Sequence, residues 1–347
     1  MSKVVIGMSG GVDSSVAAHL LLQEGYEVIG VTFRFTEDLD PKDAIETCKK
    51  LNIEHHILDY RNIFKELVIN KFIDDYKKGI TPNPCILCNR LIKFNFLYDA
   101  MLKYNADYFA TGHYAKTENG KLYKSIDLNK DQTYFLCNIT KEQLNCVLFP
   151  LDGFDKNTVR EIAQKEGLIN ANKKDSTDVC FINSKFKDYI QTKLTNIKGP
   201  VINITNNKII GEHTGLFKYT IGQRRGINIG GTTDRMYVVG KDIEKNILYI
   251  ATGEDNTYLI STSCILENVN IFNNEKITKC KAKFRYRQEE IDVKINWITD
   301  TSVEVIYNQG IKSVTPGQAC AFYKNNECLG GGIITTIKKN NKEIWYL

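Results

Sequence analysis

"SGGVDSS", Ser9 to Ser15, follows the apolar run Val4-Val5-Ile6 and opens a segment in which Val16, Ala17, Leu20 and Leu21 recur at helical spacing until Gly25. Tyr26 to Val31 reads as the next strand. The serine- and glycine-rich stretch therefore sits at a strand-to-helix turn inside a βαβ unit. Gly10 and Gly11 let the backbone approach an anion closely, and the start of the helix offers unpaired N–H groups. A Walker loop would carry a lysine before its Ser/Thr, and a Rossmann loop would read Gly-x-Gly-x-x-Gly; neither pattern is present. The expectation is a phosphate-binding loop without its usual lysine.

The alternation continues downstream. Pro41 to Leu51 and Asn62 to Lys78 read as helices, and His56 to Leu58 and Tyr108 to Thr111 as strands. This predicts a doubly wound α/β domain whose ligands lie beyond the carboxyl ends of its strands, where Gly112-His113 falls. Near residue 195 the rhythm stops, and short apolar runs with glycines and asparagines indicate β-rich modules. With 347 residues the chain divides into an expected catalytic domain over 1–197, a connecting module over 198–258 and a small C-terminal β-barrel over 259–347.

Composition describes a globular chain with 42% hydrophobic and 25% charged residues. No segment is long and apolar enough to span a membrane, and the N-terminus enters a strand at once without a basic leader or h-region. The expected location is the cytoplasm. The net charge of +5 is compatible with a polyanionic partner without requiring one. In "KCKAKFRYRQ", Lys279, Lys281, Lys283, Arg285 and Arg287 alternate with apolar residues, which at a period of two predicts five cations on one strand face, suited to phosphates. A second basic turn carries Gln223, Arg224 and Arg225 among glycines.

Of ten cysteines, Cys85 and Cys88 form the one Cys-x-x-Cys, which in a cytosolic protein points to redox, metal or sulfur chemistry. They lie in "TPNPCILCNRLIKF", Thr81 to Phe94, where two prolines stiffen a loop and an amphipathic helix follows. Cys88 near a helix start predicts a lowered thiol pKa and a nucleophilic thiolate. Cys180, in "KKDSTDVCFI", could converge with these two, although spacing does not establish it. Cys48, Cys137, Cys146, Cys264, Cys280, Cys320 and Cys328 read as small buried apolar residues.

The Ser9–Ser15 loop resembles that of the PP-loop ATP pyrophosphatases, which cleave ATP between its α- and β-phosphates. "GMSGGVDSS", "TPNP-x-x-x-CN", "ATGHYA", "DQTYFL", "KKDST-x-x-CFI", "YTIGQRRG" and "PGQA" followed by "CLGGG" occur in the order found in the tRNA-specific 2-thiouridylases (MnmA/TrmU family), over nearly the whole chain. The resemblance implies that ATP, with Mg2+, adenylates C2–O of the wobble uridine of a tRNA. A sulfur held as a cysteine persulfide then displaces AMP. It implies an ATP site of Gly7, Met8, Ser9, Gly10, Gly11, Val12, Asp13, Ser14, Phe33 and Gly112, with Asp13 needed for adenylation. Cys180 would carry the persulfide, supplied by a cysteine desulfurase or a sulfur-relay protein. Cys88 would release the sulfur or close a transient Cys88–Cys180 disulfide. Asn83, Pro84 and Cys85 would face the target base, while Lys130, Asp131, Gln132, Arg285 and Tyr286 would contact tRNA.

Two departures stand out. A common form of the family motif has aspartate at the place of Cys85, and the stretch from Phe33 to Asp43 is short beside many relatives. Cysteine at 85 opens a second mechanism in which Cys85, Cys88 and Cys180 ligate a [4Fe-4S] cluster with one open iron. A PP-loop synthetase acting on a small molecule is the rival reading, and it would need neither the cysteines nor the basic strand.

Overall fold

The computed structural model describes residues 1–173, 179–182, 186–227, 235–273 and 275–347. The N-terminal part is built on a five-stranded, wholly parallel sheet of β1 (Lys3–Gly7), β2 (Glu27–Arg34), β3 (Glu54–Asp59), β4 (Tyr108–Ala110) and β7 (Val147–Leu148), in the order β3-β2-β1-β4-β7. Val4, Val5 and Ile6 are wholly buried, as a central strand covered on both faces requires. Helix α1 (Val12–Gln23) connects β1 to β2 and α2 (Lys42–Leu51) connects β2 to β3. Asn52 ends α2 in the left-handed region at φ 52°, its N–H donating back toward the last turn.

The chain then crosses to the other side of β1, so the strand order reverses between β1 and β4. The crevice outside their carboxyl ends is the topological switch point, and Ser9–Ser15 lies there. The crossing uses two long helical segments. Residues 61–77 form one helix interrupted by a π-turn at Lys65–Asn70, where uniform α-helix was expected. Residues 84–103 form another, with a π-turn at Asn89–Lys93.

The middle sheet, ordered β10-β11-β8-β9, comprises β8 (Gly199–Asn203), β9 (Lys208–His213), β10 (Met236–Asp242) and β11 (Ile247–Thr252). Beyond it, β12 (Ile260–Ile271), β13 (Lys279–Lys283), β14 (Ile291–Trp297), β15 (Val303–Lys312), β16 (Ala319–Lys324) and β17 (Glu327–Lys339) run in the order β12-β15-β14-β13-β16-β17. Pairing of β12 with β17 closes the six strands into a barrel. A hairpin of the N-terminal part, β5 (Ala115–Glu118) and β6 (Lys121–Lys124), joins this sheet through β6 and β17, with Leu122 opposite Cys328.

The expected five-cation strand face is corrected here. Strand β13 stops at Lys283, and the chain turns at once: Gln288 N donates to Arg285 O, and Phe284 N donates to Gln288 Oε1. Lys279, Lys281 and Lys283 keep the alternation. Lys283 stands 3.7 Å from Glu290 and over the Tyr323 ring. Arg285 instead turns inward and donates to Ile221 O (3.1 Å), Ser313 O (2.7 Å) and Thr315 Oγ1 (2.8 Å), stapling the middle part to the barrel.

Candidate active site

The phosphate loop is held by its own hydroxyls. Ser14 Oγ and Ser15 Oγ both donate to Gly11 O, at 3.2 and 2.9 Å, and Ser9 N donates to Ser14 Oγ at 3.3 Å. Gly10 is left-handed at φ +74°, and Gly11 caps α1 with extended backbone. Met8 N donates to Val31 O, and Thr32 Oγ1 donates to Met8 O, so the strand-to-loop junction is fixed to β2. Val12 and Met8 are buried, Gly7 is half-buried against Leu97, and Ser9 is exposed. A Cβ on Gly112 would lie 2.8 Å from the backbone of Asp13 and Ser14. The close approach that this glycine allows is thus to the first turn of α1. Phe33 is buried against Phe35, Tyr60 and Phe96, with ring centroids 5.7, 5.7 and 6.1 Å away.

Four residues that sequence reasoning missed complete this surface. Lys156 Nζ donates to both oxygens of Asp13, at 2.7 and 2.9 Å, and Tyr114 Oη donates to Asp13 Oδ1 at 2.7 Å. Asn170 Nδ2 donates to Gly11 O at 3.1 Å and Ser15 Oγ at 2.6 Å. Lys173 Nζ donates to Gly10 O at 3.1 Å and stands 2.5 Å from Asp43 Oδ2. Only the lysine missing from the loop hinted that such cations must come from elsewhere.

The second cluster gathers sulfur. Pro84 is the first residue of the helix over 84–103, after Asn83 in extended conformation, so Cys85 and Cys88 occupy its first turns. Cys88 shares an apolar cluster with Phe181 and Ile182, and Phe181 packs edge-on to Phe64 and Phe72, at 5.7 and 5.4 Å. That anchor leaves the neighbouring Cys180 exposed and brings the three thiols into one another's electrostatic range. All ten cysteines are free thiols. Cys48, Cys137, Cys264, Cys320 and Cys328 are buried as expected, whereas Cys146 and Cys280 are half-buried.

The expected thiolate at Cys88 is also corrected. Burial pushes its thiol up to about 12, and Lys93 opposes that only in part. Five residues into the helix, desolvation outweighs the dipole. Burial raises Cys85 as well. Burial works against the charge of Lys93, but Cys88, Cys180 and Cys85 favour it and the balance is raised. Burial, followed by the Lys93 charge, drives His113 down to about 3, so this imidazole is neutral; its Nδ1 lies 2.8 Å from Thr111 Oγ1. Among the described residues no group of three or more His, Cys, Asp or Glu side chains is arranged to hold a metal ion.

The loop before the helix is tied to the barrel. Thr81 N donates to Pro316 O, Asn83 N to Gly317 O, and Gln318 Nε2 to Thr81 O at 2.8 Å. "PGQA" thus buttresses "TPNP". Asn89 is buried and donates from Nδ2 to Phe135 O. Asp131 is buried, its oxygens accepting from Ser125 N, Thr133 N and Thr133 Oγ1, while Gln132 Oε1 accepts from Tyr114 N. Lys130 is half-buried. Tyr286 packs at 4.5 Å on Phe135. Of the Lys173–Ile182 motif, residues 174–178 lie outside the described residues.

A parallel α/β domain with a Ser/Gly phosphate loop at its switch point, followed by a small sheet and a closed barrel, defines a PP-loop enzyme of the ATP-using class. Residues 2–184, 187–252 and 261–334 match, in turn, a tRNA methyl transferase HUP domain, a tRNA methyl transferase PRC-barrel domain and an aminomethyltransferase beta-barrel domain. The chain is 43% identical over 371 residues to the tRNA-specific 2-thiouridylase MnmA of Mesoplasma florum, covering 97% of this chain and 99% of that one. It is 43% identical over 366 residues to the protein of that name from Bacillus licheniformis, covering 100% and 98%. The chain belongs to the tRNA-specific 2-thiouridylase family. A solved 4-thiouridine synthetase–RNA complex with bound ATP aligns with 52% of this chain and 44% of that one, at 23% identity and a TM-score of 0.37.

Proposed function

We propose that this enzyme converts the wobble uridine of tRNA to 2-thiouridine by adenylation followed by sulfur transfer from Cys180. The observation that carries the reading is the pairing of a phosphate loop at the switch point with an exposed Cys180 anchored through Phe181 to the cluster that buries Cys88. The urea-like C2 carbonyl is a poor electrophile. Attack of its oxygen on the α-phosphate of ATP releases pyrophosphate and makes AMP the leaving group.

The terminal sulfur of a Cys180 persulfide then attacks C2 and AMP departs. Cys88, as thiolate, attacks Cys180 Sγ, breaking the S–S bond to the sulfur left on C2 and closing a Cys88–Cys180 disulfide. A thiol reductant or a fresh persulfide donor reopens it. Lys93 is the cation available to the thiolate that this step requires. A cysteine desulfurase or a sulfur-relay protein would load Cys180.

Asn83, Pro84 and Cys85 are the residues proposed to face the base, and Lys130, Asp131, Gln132, Arg285 and Tyr286 those proposed to meet the tRNA. Asp13 is committed to Lys156 and Tyr114, so magnesium accompanying ATP is assigned to the phosphates rather than to this carboxylate. The described thiols are not arranged as metal ligands, and no step is assigned to an iron–sulfur cluster. The test is Cys180→Ser, which should abolish 2-thiouridine formation while leaving tRNA affinity and ATP-dependent pyrophosphate release intact. Undiminished thiolation by that variant would sink the reading.

A further inference from the structure

We propose that Lys173 is the phosphate-binding lysine of this ATP site, standing in for the one absent from the Ser9–Ser15 loop. The inference rests on the loop's being an ATP loop, as argued above. A triphosphate brings several negative charges to a loop that offers backbone N–H groups and serine hydroxyls, and the Lys156 charge nearby is matched by Asp13. Lys173 brings a second ammonium to this surface. Its Nζ already donates to a carbonyl of the loop, Gly10 O at 3.1 Å, and its side chain is half exposed.

The backbone beneath it is held in place. Arg160 Nη1 donates to Ala171 O and Lys173 O, at 3.1 and 3.2 Å, and Asn170 Nδ2 fastens the same stretch to Gly11 O and Ser15 Oγ. Asn170 is 3% exposed, and its Oδ1 has no hydrogen-bond partner among the described residues. Residues 170–173 therefore lie along the loop as a strap, and the lysine side chain extends from it to Gly10 O and Asp43.

Its present partner, Asp43, is 40% exposed. Exposed ion pairs of this kind contribute little net stability, because solvent screens them. Pyrophosphate oxygens are the better acceptor, so ATP exchanges Asp43 for itself at the lysine head, and no covalent bond changes. The same strap leads within seven residues (180 − 173) to Cys180, so the phosphate contact and the sulfur carrier share one stretch of chain.

The experiment is calorimetric binding of α,β-methylene-ATP and of AMP to the full-length protein and to Lys173→Met, Lys173→Arg and Asp43→Asn. Lys173→Met should weaken the triphosphate roughly 10- to 100-fold, the range for hydrogen bonds to charged groups, and leave AMP binding unchanged. Lys173→Arg should recover most of the loss, and Asp43→Asn should bind the triphosphate at least as tightly as the native chain. Equal weakening of both nucleotides by Lys173→Met, or equal losses in Lys173→Met and Asp43→Asn, would make the pair a structural strut and overturn the proposal. Triphosphate affinity unchanged in Lys173→Met would do the same. A native protein that binds neither nucleotide would instead refute the ATP reading itself.

Discussion

Alkylation of the native protein across a pH series reads out the environment of Cys88. A thiol at the ordinary value of 9.0 is about one-tenth thiolate at pH 8, whereas one pushed to about 12 is about one ten-thousandth thiolate. Because the thiolate is the nucleophile, Cys88 should react with iodoacetamide about a thousandfold more slowly than an unperturbed thiol. N-acetylcysteine labelled under the same conditions is the reference thiol. The assay is quenched-flow labelling from pH 7 to 10.5 with peptide mass spectrometry. The Cys88 rate should climb tenfold per pH unit without levelling, and Lys93→Met should lower it further, since Lys93 is the group that favours the thiolate. Steric shielding alone would slow the reaction by a constant factor and still give a plateau near pH 9. A plateau there, or a Cys88 rate within about tenfold of that reference thiol at pH 8, would refute the claim that desolvation governs this sulfur. Since the proposed chemistry needs Cys88 as a thiolate, substrate binding has to change its surroundings before the disulfide can close.

Gly112→Ala places a methyl 2.8 Å from the α1 backbone, which should cost about 1–3 kcal/mol of stability and displace the loop; thermal unfolding and nucleotide titration together check it, and an unshifted melting temperature with native affinity would count against the packing argument. Lys241 is buried, donates to Gly79 O at 3.0 Å, and is lowered by burial to about 7. From pH 7 to about 10 the unfolded chain therefore holds a proton that the folded chain lacks, and stability should rise by about 1.4 kcal/mol per unit through that window. Lys241→Met should flatten this slope in urea unfolding at pH 6.5, 8 and 9.5, and parallel native and variant curves would contradict it.

The local parts of the site were readable because they are short-range. The strand–loop–helix over residues 3–23, the Cys-x-x-Cys and the apolar Phe181-Ile182 beside Cys180 all follow from periodicity, turn chemistry and the residue types themselves. Lys156 and Lys173 escaped notice because each meets its loop partner across more than 140 residues, and a lysine in a polar stretch has no local mark of its destination. The five-cation face failed for a related reason: alternation continues past Lys283, but Gln288 closes a turn that strand periodicity does not register. Cys88 was misjudged because a helix start is visible in sequence, while the apolar cluster that desolvates it is assembled from Phe64, Ile92 and Phe181 on three separate segments. The buttress of "TPNP" by "PGQA" joins two motifs more than 230 residues apart, both conspicuous in sequence and neither pointing to the other.

The hairpin β5–β6 takes its partner from the far end of the polypeptide: Leu122 pairs opposite Cys328, and Lys121 reaches Glu327, 206 residues later. At roughly 5–20 residues per second a ribosome needs about 10–40 s to make that interval. For nearly all of it, the edge of β6 and the "TPNP" loop are without the strand and turn that hold them in the finished molecule. The catalytic half is therefore completed last although it is translated first, and a nascent chain stalled before Pro316 holds every thiol proposed for chemistry but not the barrel turn that braces the loop before Cys85.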